Sequence, residues 1–310
     1  MFIDIHGHLS PPGEKGGGPP SLRDPEAVIA RKRALGIELT VIGSPVGAGV
    51  MLPLPDIDNY RQTADQVRAH NELMAELVDR HPQSLRTYAY LDPTGDERML
   101  TQAQELLKDW RFVGFVVNSS INDEYLSSPR AEQFFAMASE LAVPVLLHPP
   151  ARPVGAASLG DFGMVEHVGR FNDVTAGLAA LLRAGAPQKY PGLVLVAAAG
   201  GGAVAQLAEK LDLAAVPRGG GEPEFLPSEG LRRIHVDTSC PSPHNLAANL
   251  AVLGADRVLF GTDAPPLMEA LEPTLRLVTG AGLSAADLDR VTRLNALELY
   301  GLQSSPTPVS

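Results

Sequence analysis

The stretch Met1-Phe2-Ile3-Asp4-Ile5-His6-Gly7-His8 decides how the rest of the chain is read. Phe2, Ile3 and Ile5 make an apolar run with strand character, and the run ends in two imidazoles separated by one glycine. Side chains at i and i+2 of a strand share a face, so His6 and His8 can converge on one metal ion while Gly7 leaves room beside it. A His-x-His pair alone also fits two hydrogen-bonded core histidines. The residues carried by the other strand ends therefore decide between the readings.

Working outward, apolar runs of strand length recur at 38–44, 86–91, 112–117, 143–148, 193–198, 234–239 and 257–261. Between them lie segments with helical spacing or helix-start signals: 24–35, 59–80, 94–109, 129–141, 174–184, a helix running to 211, 245–253, and pieces within 268–299. Eight strands alternating with helices predict a (β/α)8 TIM barrel with loop insertions at its C-terminal face. A doubly wound open sheet is the alternative, but no glycine fingerprint comes after the first strand. Residues 1–302 are expected to form one domain, with 303–310 as a frayed tail. Gly- and Pro-rich stretches break the pattern at 9–20, 45–58, 149–171 and 216–230. The first fits a lid beside the ligand-bearing strand or a slack surface insertion, and the third leaves room for a short helix at 162–168.

The formal charge of -11 and the absence of a basic run exclude a nucleic-acid or anionic-membrane partner, so an anionic substrate must be steered by local charges. Cys240 is the only cysteine, which excludes an intrachain disulfide and fits a reducing compartment. Asp4 and His6 interrupt the apolar start at once, unlike a signal peptide, and the apolar stretch 193–207 is broken by glycines and Gln206. A cytoplasmic enzyme is expected, with a homodimer as a candidate assembly.

Reactive residues of such a barrel sit at the C-terminal ends of its strands. His6 and His8 end the first strand, His148 ends the fifth and Asp263 comes just after the eighth. Separately, His148 reads as a core histidine and Asp263 as a cap for the loop or helix beyond it. Together they make a His3Asp set that can hold one divalent ion and leave a position open, with Zn2+ expected first and Mn2+ as the alternative.

The combination of Ile3-Asp4-Ile5-His6-Gly7-His8, Val143-Pro144-Val145-Leu146-Leu147-His148-Pro149, Leu259-Phe260-Gly261-Thr262-Asp263-Ala264-Pro265 and Asn295-Ala296-Leu297-Glu298-Leu299-Tyr300 resembles the amidohydrolase superfamily. More narrowly, it resembles the subgroup of aminocarboxymuconate-semialdehyde decarboxylase. The likeness covers nearly the whole chain. It implies that His6, His8, His148 and Asp263 ligate a single ion, and that the substrate is a small carboxylated, unsaturated or phenolic compound.

The chain departs from the superfamily at two places. Two-metal members end strand four in a carbamylated lysine, whereas here that strand ends at Val117-Asn118, which argues for one ion. The subgroup also carries a proton-transfer histidine before the glycines after strand six, where this chain has Ala199 before Gly200-Gly201-Gly202. Alanine transfers no proton, so either another group serves or the reaction differs. His244, in the loop beyond strand seven, is the substitute candidate, and Asp263 is the second catalytic candidate. Each has a plainer reading as a surface histidine or a cap. Cys240 reads as a small buried residue rather than an activated thiolate.

For a carboxylated substrate, Arg152, four residues past His148, is the first candidate to fork onto the carboxylate, ahead of Arg61 and Arg170. Asn118 and His167 are further substrate-facing candidates. His70, His81 and His235 are expected to be structural, and Asp4 to brace a neighbouring segment. The leading expectation is a mononuclear metal-dependent lyase, decarboxylase-like. The alternatives are a hydrolase or hydratase of the same superfamily, and a metal-binding barrel without turnover.

Overall fold

The computed structural model describes residues 1–13, 18–44, 62–160 and 163–302. Its eight long-sheet strands run β1 Phe2–His8, β2 Ile37–Gly43, β3 Leu85–Tyr90, β4 Phe112–Asn118, β5 Pro144–His148, β6 Val194–Ala197, β7 His235–Asp237 and β8 Val258–Leu259. They are hydrogen-bonded in chain order, and every adjacent pair is parallel. The ring closes between its first and last strands. Ile5 N donates to Phe260 O at 3.0 Å, Asp263 N to His6 O at 2.8 Å and His8 N to Pro265 O at 3.0 Å. Closure removes both sheet edges, giving the expected (β/α)8 barrel rather than an open sheet.

Helices α1 Pro25–Ala34, α2 Ala64–Arg80, α3 Glu97–Leu106, α4 Glu132–Leu141, α5 Arg170–Arg183, α6 Ala208–Ala215, α7 Pro243–Leu253 and α8 Leu271–Thr279 surround the strands. Periodicity located these helices but misplaced several ends, because caps set them. Thr63 and Gln66 form a reciprocal capping box that starts α2 at Ala64, and Asp96 accepts from Met99 N to start α3. α5 begins earlier than the expected 174, because a π-helical turn at Val165–Gly169 leads straight into it where a short separate helix was expected. A two-stranded ribbon, Ser120–Ile121 with Glu124–Tyr125, was not anticipated.

Strand β1 contains the one local irregularity that matters for the site. Its pairing with β2 shifts between Asp4 and Gly7, so three steps on β1 oppose two on β2. Asp4 and Gly7 consequently share the outer face. Asp4 meets Lys32 there, and Lys32 also reaches Thr40. A Cβ on Gly7 would lie 2.9 Å from Ala264 O, 3.0 Å from Thr40 Cγ2 and 3.1 Å from Lys32 Nζ. The room that Gly7 provides is thus on the helix side of the barrel, not beside an ion. His6 and His8 take the inner face.

The expected lid at 9–20 is described only in part. Its start is fixed, with Leu9 N donating to Gly43 O and Ser10 N to Leu22 O, and residues 14–17 lie outside the described residues. The expected loop at 45–58, Arg61 and the tail at 303–310 also lie outside them. No helix among the described residues is long and apolar enough to cross a membrane.

Candidate metal centre

The inner ends of β1 and β5 and the turn after β8 bring His6, His8, His148 and Asp263 together, with one ligand atom from each lying within 4.8 Å of the others. His6 Nε2 is 3.2 Å from His8 Nε2 and 3.6 Å from Asp263 Oδ1, and His8 Nε2 is 3.1 Å from the same oxygen. The three imidazoles are buried, and neither ring nitrogen of His148 has a hydrogen-bond partner among the described residues. Buried imidazole nitrogens left without partners are costly unless something binds them. Three nitrogens and one carboxylate oxygen converging at this spacing fit one divalent cation.

The ligands are held from behind. His6 Nδ1 donates to Asp237 Oδ2 at 2.6 Å, which directs Nε2 into the cluster. The other Asp237 oxygen accepts from Gly200 N at 2.9 Å, Ser239 N at 3.1 Å and Ser239 Oγ at 2.9 Å. Asp4 supports the same cluster from outside. Its Oδ1 accepts from His6 N and Thr262 N, and its Oδ2 from Thr262 Oγ1 at 2.6 Å and Lys32 Nζ at 2.7 Å. The backbone at His6 and the approach to Asp263 are therefore tied to one carboxylate, the bracing role expected of Asp4. His148 is aligned with Asn118 across β4 and β5, and Ser119 N donates to its carbonyl at 2.8 Å.

Electrostatics separates the three imidazoles. Burial works against charge on His6, but Asp263 and Asp237 outweigh it and hold its pKa above the ordinary 6.5. Burial lowers His8 in spite of Asp263, and it takes His148 well below the ordinary range with help from His8, His6 and Arg170. Burial opposes charge on Asp263, yet His6 and His8 keep its carboxyl below the usual value. The shifts favour the neutral form of His8 and His148 and the ionised form of Asp263, while at His6 an incoming ion competes with a more tightly held proton.

The other candidates are distributed differently. Asn118 is buried at the end of β4 beside His148. Arg152 and His167 are exposed in the segment after β5, and His244 is exposed on the first turn of α7. Cys240 is half-buried beside Gly200, where burial and Asp237 push its thiol pKa up. His235 lies near the opposite end of β7, with Nε2 3.2 Å from Arg257, and burial takes its pKa down to about 4. Ala199, just beyond β6, is in the left-handed region, and its N–H donates to Ser239 Oγ. Sequence reasoning missed Asp237. The signal was available, since a carboxylate at the end of β7 obeys the same strand-end rule that singled out Asp263.

A family model described as amidohydrolase matches residues 3–302. The chain is 24% identical over 288 residues to gamma-resorcylate decarboxylase of Rhizobium sp. (strain MTP-10005), covering 88% of this chain and 85% of the relative. Among solved structures, 5-carboxyvanillate decarboxylase from Sphingomonas paucimobilis superposes with a TM-score of 0.80 at 18% identity, covering 98% of this chain and 99% of the other. A dihydroxybenzoic acid decarboxylase from Polaromonas sp. JS666, solved with bound manganese and the inhibitor 2-nitroresorcinol, superposes with a TM-score of 0.79 at 20% identity and covers 97% and 96% of the two chains.

Proposed function

This chain belongs to the amidohydrolase family and is an enzyme of it; on that basis we propose that it is a mononuclear metal-dependent decarboxylase of small hydroxylated aromatic acids. The observation that carries the proposal is the convergence of buried His6, His8 and His148 with partly exposed Asp263 at the barrel mouth, in a chain whose relatives are named for removing carboxylate from phenolic rings. A divalent ion held there, with Zn2+ as our first assignment and Mn2+ as the alternative, supplies fixed positive charge that orients the anionic oxygens of the substrate.

In our reading the ring carbon bearing the carboxylate is protonated, the bond to the carboxylate then breaks, its electron pair restores the aromatic ring and CO2 leaves. We assign the proton relay to Asp263: its carboxylate takes up a proton from solvent at the mouth or from the substrate's own acidic hydroxyl and passes it to the ring carbon, returning to the carboxylate form. Its side chain is the most exposed of the cluster, at 20%, so it links the buried donors to the open mouth. His244 is the less direct carrier, because its imidazole is exposed on the α7 surface. Buried Asn118, level with His148, lines the substrate side, and His6, His8 and His148 hold their positions throughout, with Asp237 and Asp4 bracing His6.

The alternative of a barrel that binds metal without turnover draws on Ala199, since no imidazole stands just after β6 to move a proton. Release of CO2 from carboxyl-labelled gamma-resorcylate by the Mn2+- or Zn2+-loaded protein separates the two. The proposal expects release from the native chain and its loss in Asp263→Asn. Saturating binding of the acid with no release, across a panel of hydroxybenzoates, would refute it in favour of the binding protein.

A further inference from the structure

Arg170 is the first residue of α5, and it is only 6% exposed. Its NH1 donates to Glu166 one turn earlier, whose side chain is 57% exposed, so that pairing reaches the outer edge of the segment. Arg170 Nε, in contrast, is buried with no hydrogen-bond partner among the described residues. A guanidinium has donors only, and burying one of them unmatched is unfavourable unless an acceptor arrives.

The packing of α5 fixes where the backbone that carries this cation sits. Asp173 lies one turn along the helix, on the same face as Arg170. It accepts from Ser119 Oγ, from Ser120 Oγ at 2.8 Å and from Val154 N at 2.7 Å. Ser119 in turn is bonded to the carbonyl of His148. On the next turn, a Cβ on Gly177 would lie 2.9 Å from Ser119 O, so only glycine lets the helix sit this close. The face that carries Arg170 is thereby clamped against the ends of β4 and β5, where His148 stands. Its charge is felt at His8, His148 and Asp263.

We propose that Arg170, rather than the exposed Arg152, receives the carboxylate of the substrate and makes the site selective for aromatic acids over their neutral analogues. The inference rests on the decarboxylase reading for its substrate class. It assigns Arg170 to ground-state binding: the carboxylate leaves as neutral CO2, so the guanidinium holds the acid more tightly than the product.

The test uses Mn2+-loaded native protein, Arg170→Gln and Arg170→Lys, each with metal content measured. Binding of 2,6-difluorobenzoate and 2,6-difluorobenzamide is followed by calorimetry, because neither carries the ring hydroxyls of gamma-resorcylate. The native protein should prefer the acid, and Arg170→Gln should lose roughly tenfold or more of that preference with amide binding unchanged. Arg170→Lys, which keeps charge without the fork, should fall between and carries the test if the glutamine variant does not fold. With gamma-resorcylate, the variants should raise KM and leave kcat within about threefold. An undiminished preference in the variants, no preference in the native protein, or joint loss of metal and preference would overturn the assignment. A native protein that prefers the acid yet releases no CO2 from gamma-resorcylate would refute the decarboxylase reading and leave the Arg170 assignment standing.

Discussion

Replacing Asp237 with asparagine tests how the cluster is held. Asp237 is fully committed, with Oδ2 accepting from His6 Nδ1 at 2.6 Å and Oδ1 accepting from two backbone N–H groups and the Ser239 hydroxyl. An amide has one oxygen for these two tasks. If its oxygen serves Gly200 and Ser239, its NH2 faces His6 Nδ1 and drives that ring into the tautomer whose Nε2 carries the hydrogen. That hydrogen would then point at the ion's position. If the oxygen faces His6 instead, the NH2 confronts the N–H groups of Gly200 and Ser239. Either arrangement weakens His6 as a ligand, and loss of such a carboxylate partner typically costs ~10–100-fold in metal affinity. That range corresponds to about 1.4–2.8 kcal/mol. Competition against a chromophoric chelator at neutral pH reads the change directly. An Asp237→Asn variant that is folded and binds Mn2+ or Zn2+ within twofold of the native protein would refute the idea that Asp237 sets the His6 donor.

The same geometry sets three further outcomes. Lys32→Met leaves Asp4 buried without its cationic partner, so thermal or denaturant unfolding of the variant should show a loss of about 3–5 kcal/mol. Gly7→Ala places a methyl 2.9 Å from Ala264 O, next to Asp263, and should destabilise by about 1–3 kcal/mol while weakening metal binding in the chelator assay. The pKa of His6 is raised above 6.5 in the metal-free site, so below that pKa His6 is protonated and an incoming ion must displace the proton. Metal affinity should therefore fall as pH drops through the His6 pKa and be flat above it, whereas an affinity constant from pH 8 to 5.5 would contradict the assignment.

Much of the fold was legible because strand length, alternation with helices and strand-end chemistry all agree, and eight repeats implied closure. Helix ends were less legible, since Thr63 and Asp96 set them through side-chain bonds that periodicity does not register. The candidate cluster could be read because His6, His8 and His148 lie at the C-terminal ends of β1 and β5 and Asp263 just beyond β8. Their supports could not all be read. The shift in β1 pairing turns Asp4 and Gly7 outward, against the simple two-residue alternation, and that depends on register with β2. The difference in burial between Arg152 and Arg170 was out of reach because it depends on helix packing, and Arg61 lies outside the described residues. The Asp173 and Gly177 contacts hold the start of α5 against the β4 end, while nothing in the local sequence distinguishes buried Arg170 from exposed Arg152.

The most direct measurement is the metal content of the purified protein and of His148→Ala, taken by inductively coupled plasma mass spectrometry after loading with Mn2+ or Zn2+ and removal of excess. His6, His8, His148 and Asp263 as the donors for one ion predict close to one divalent ion per native chain and a large loss in a folded His148→Ala. Far less than one ion in the native protein, or equal content in the variant, would contradict the account.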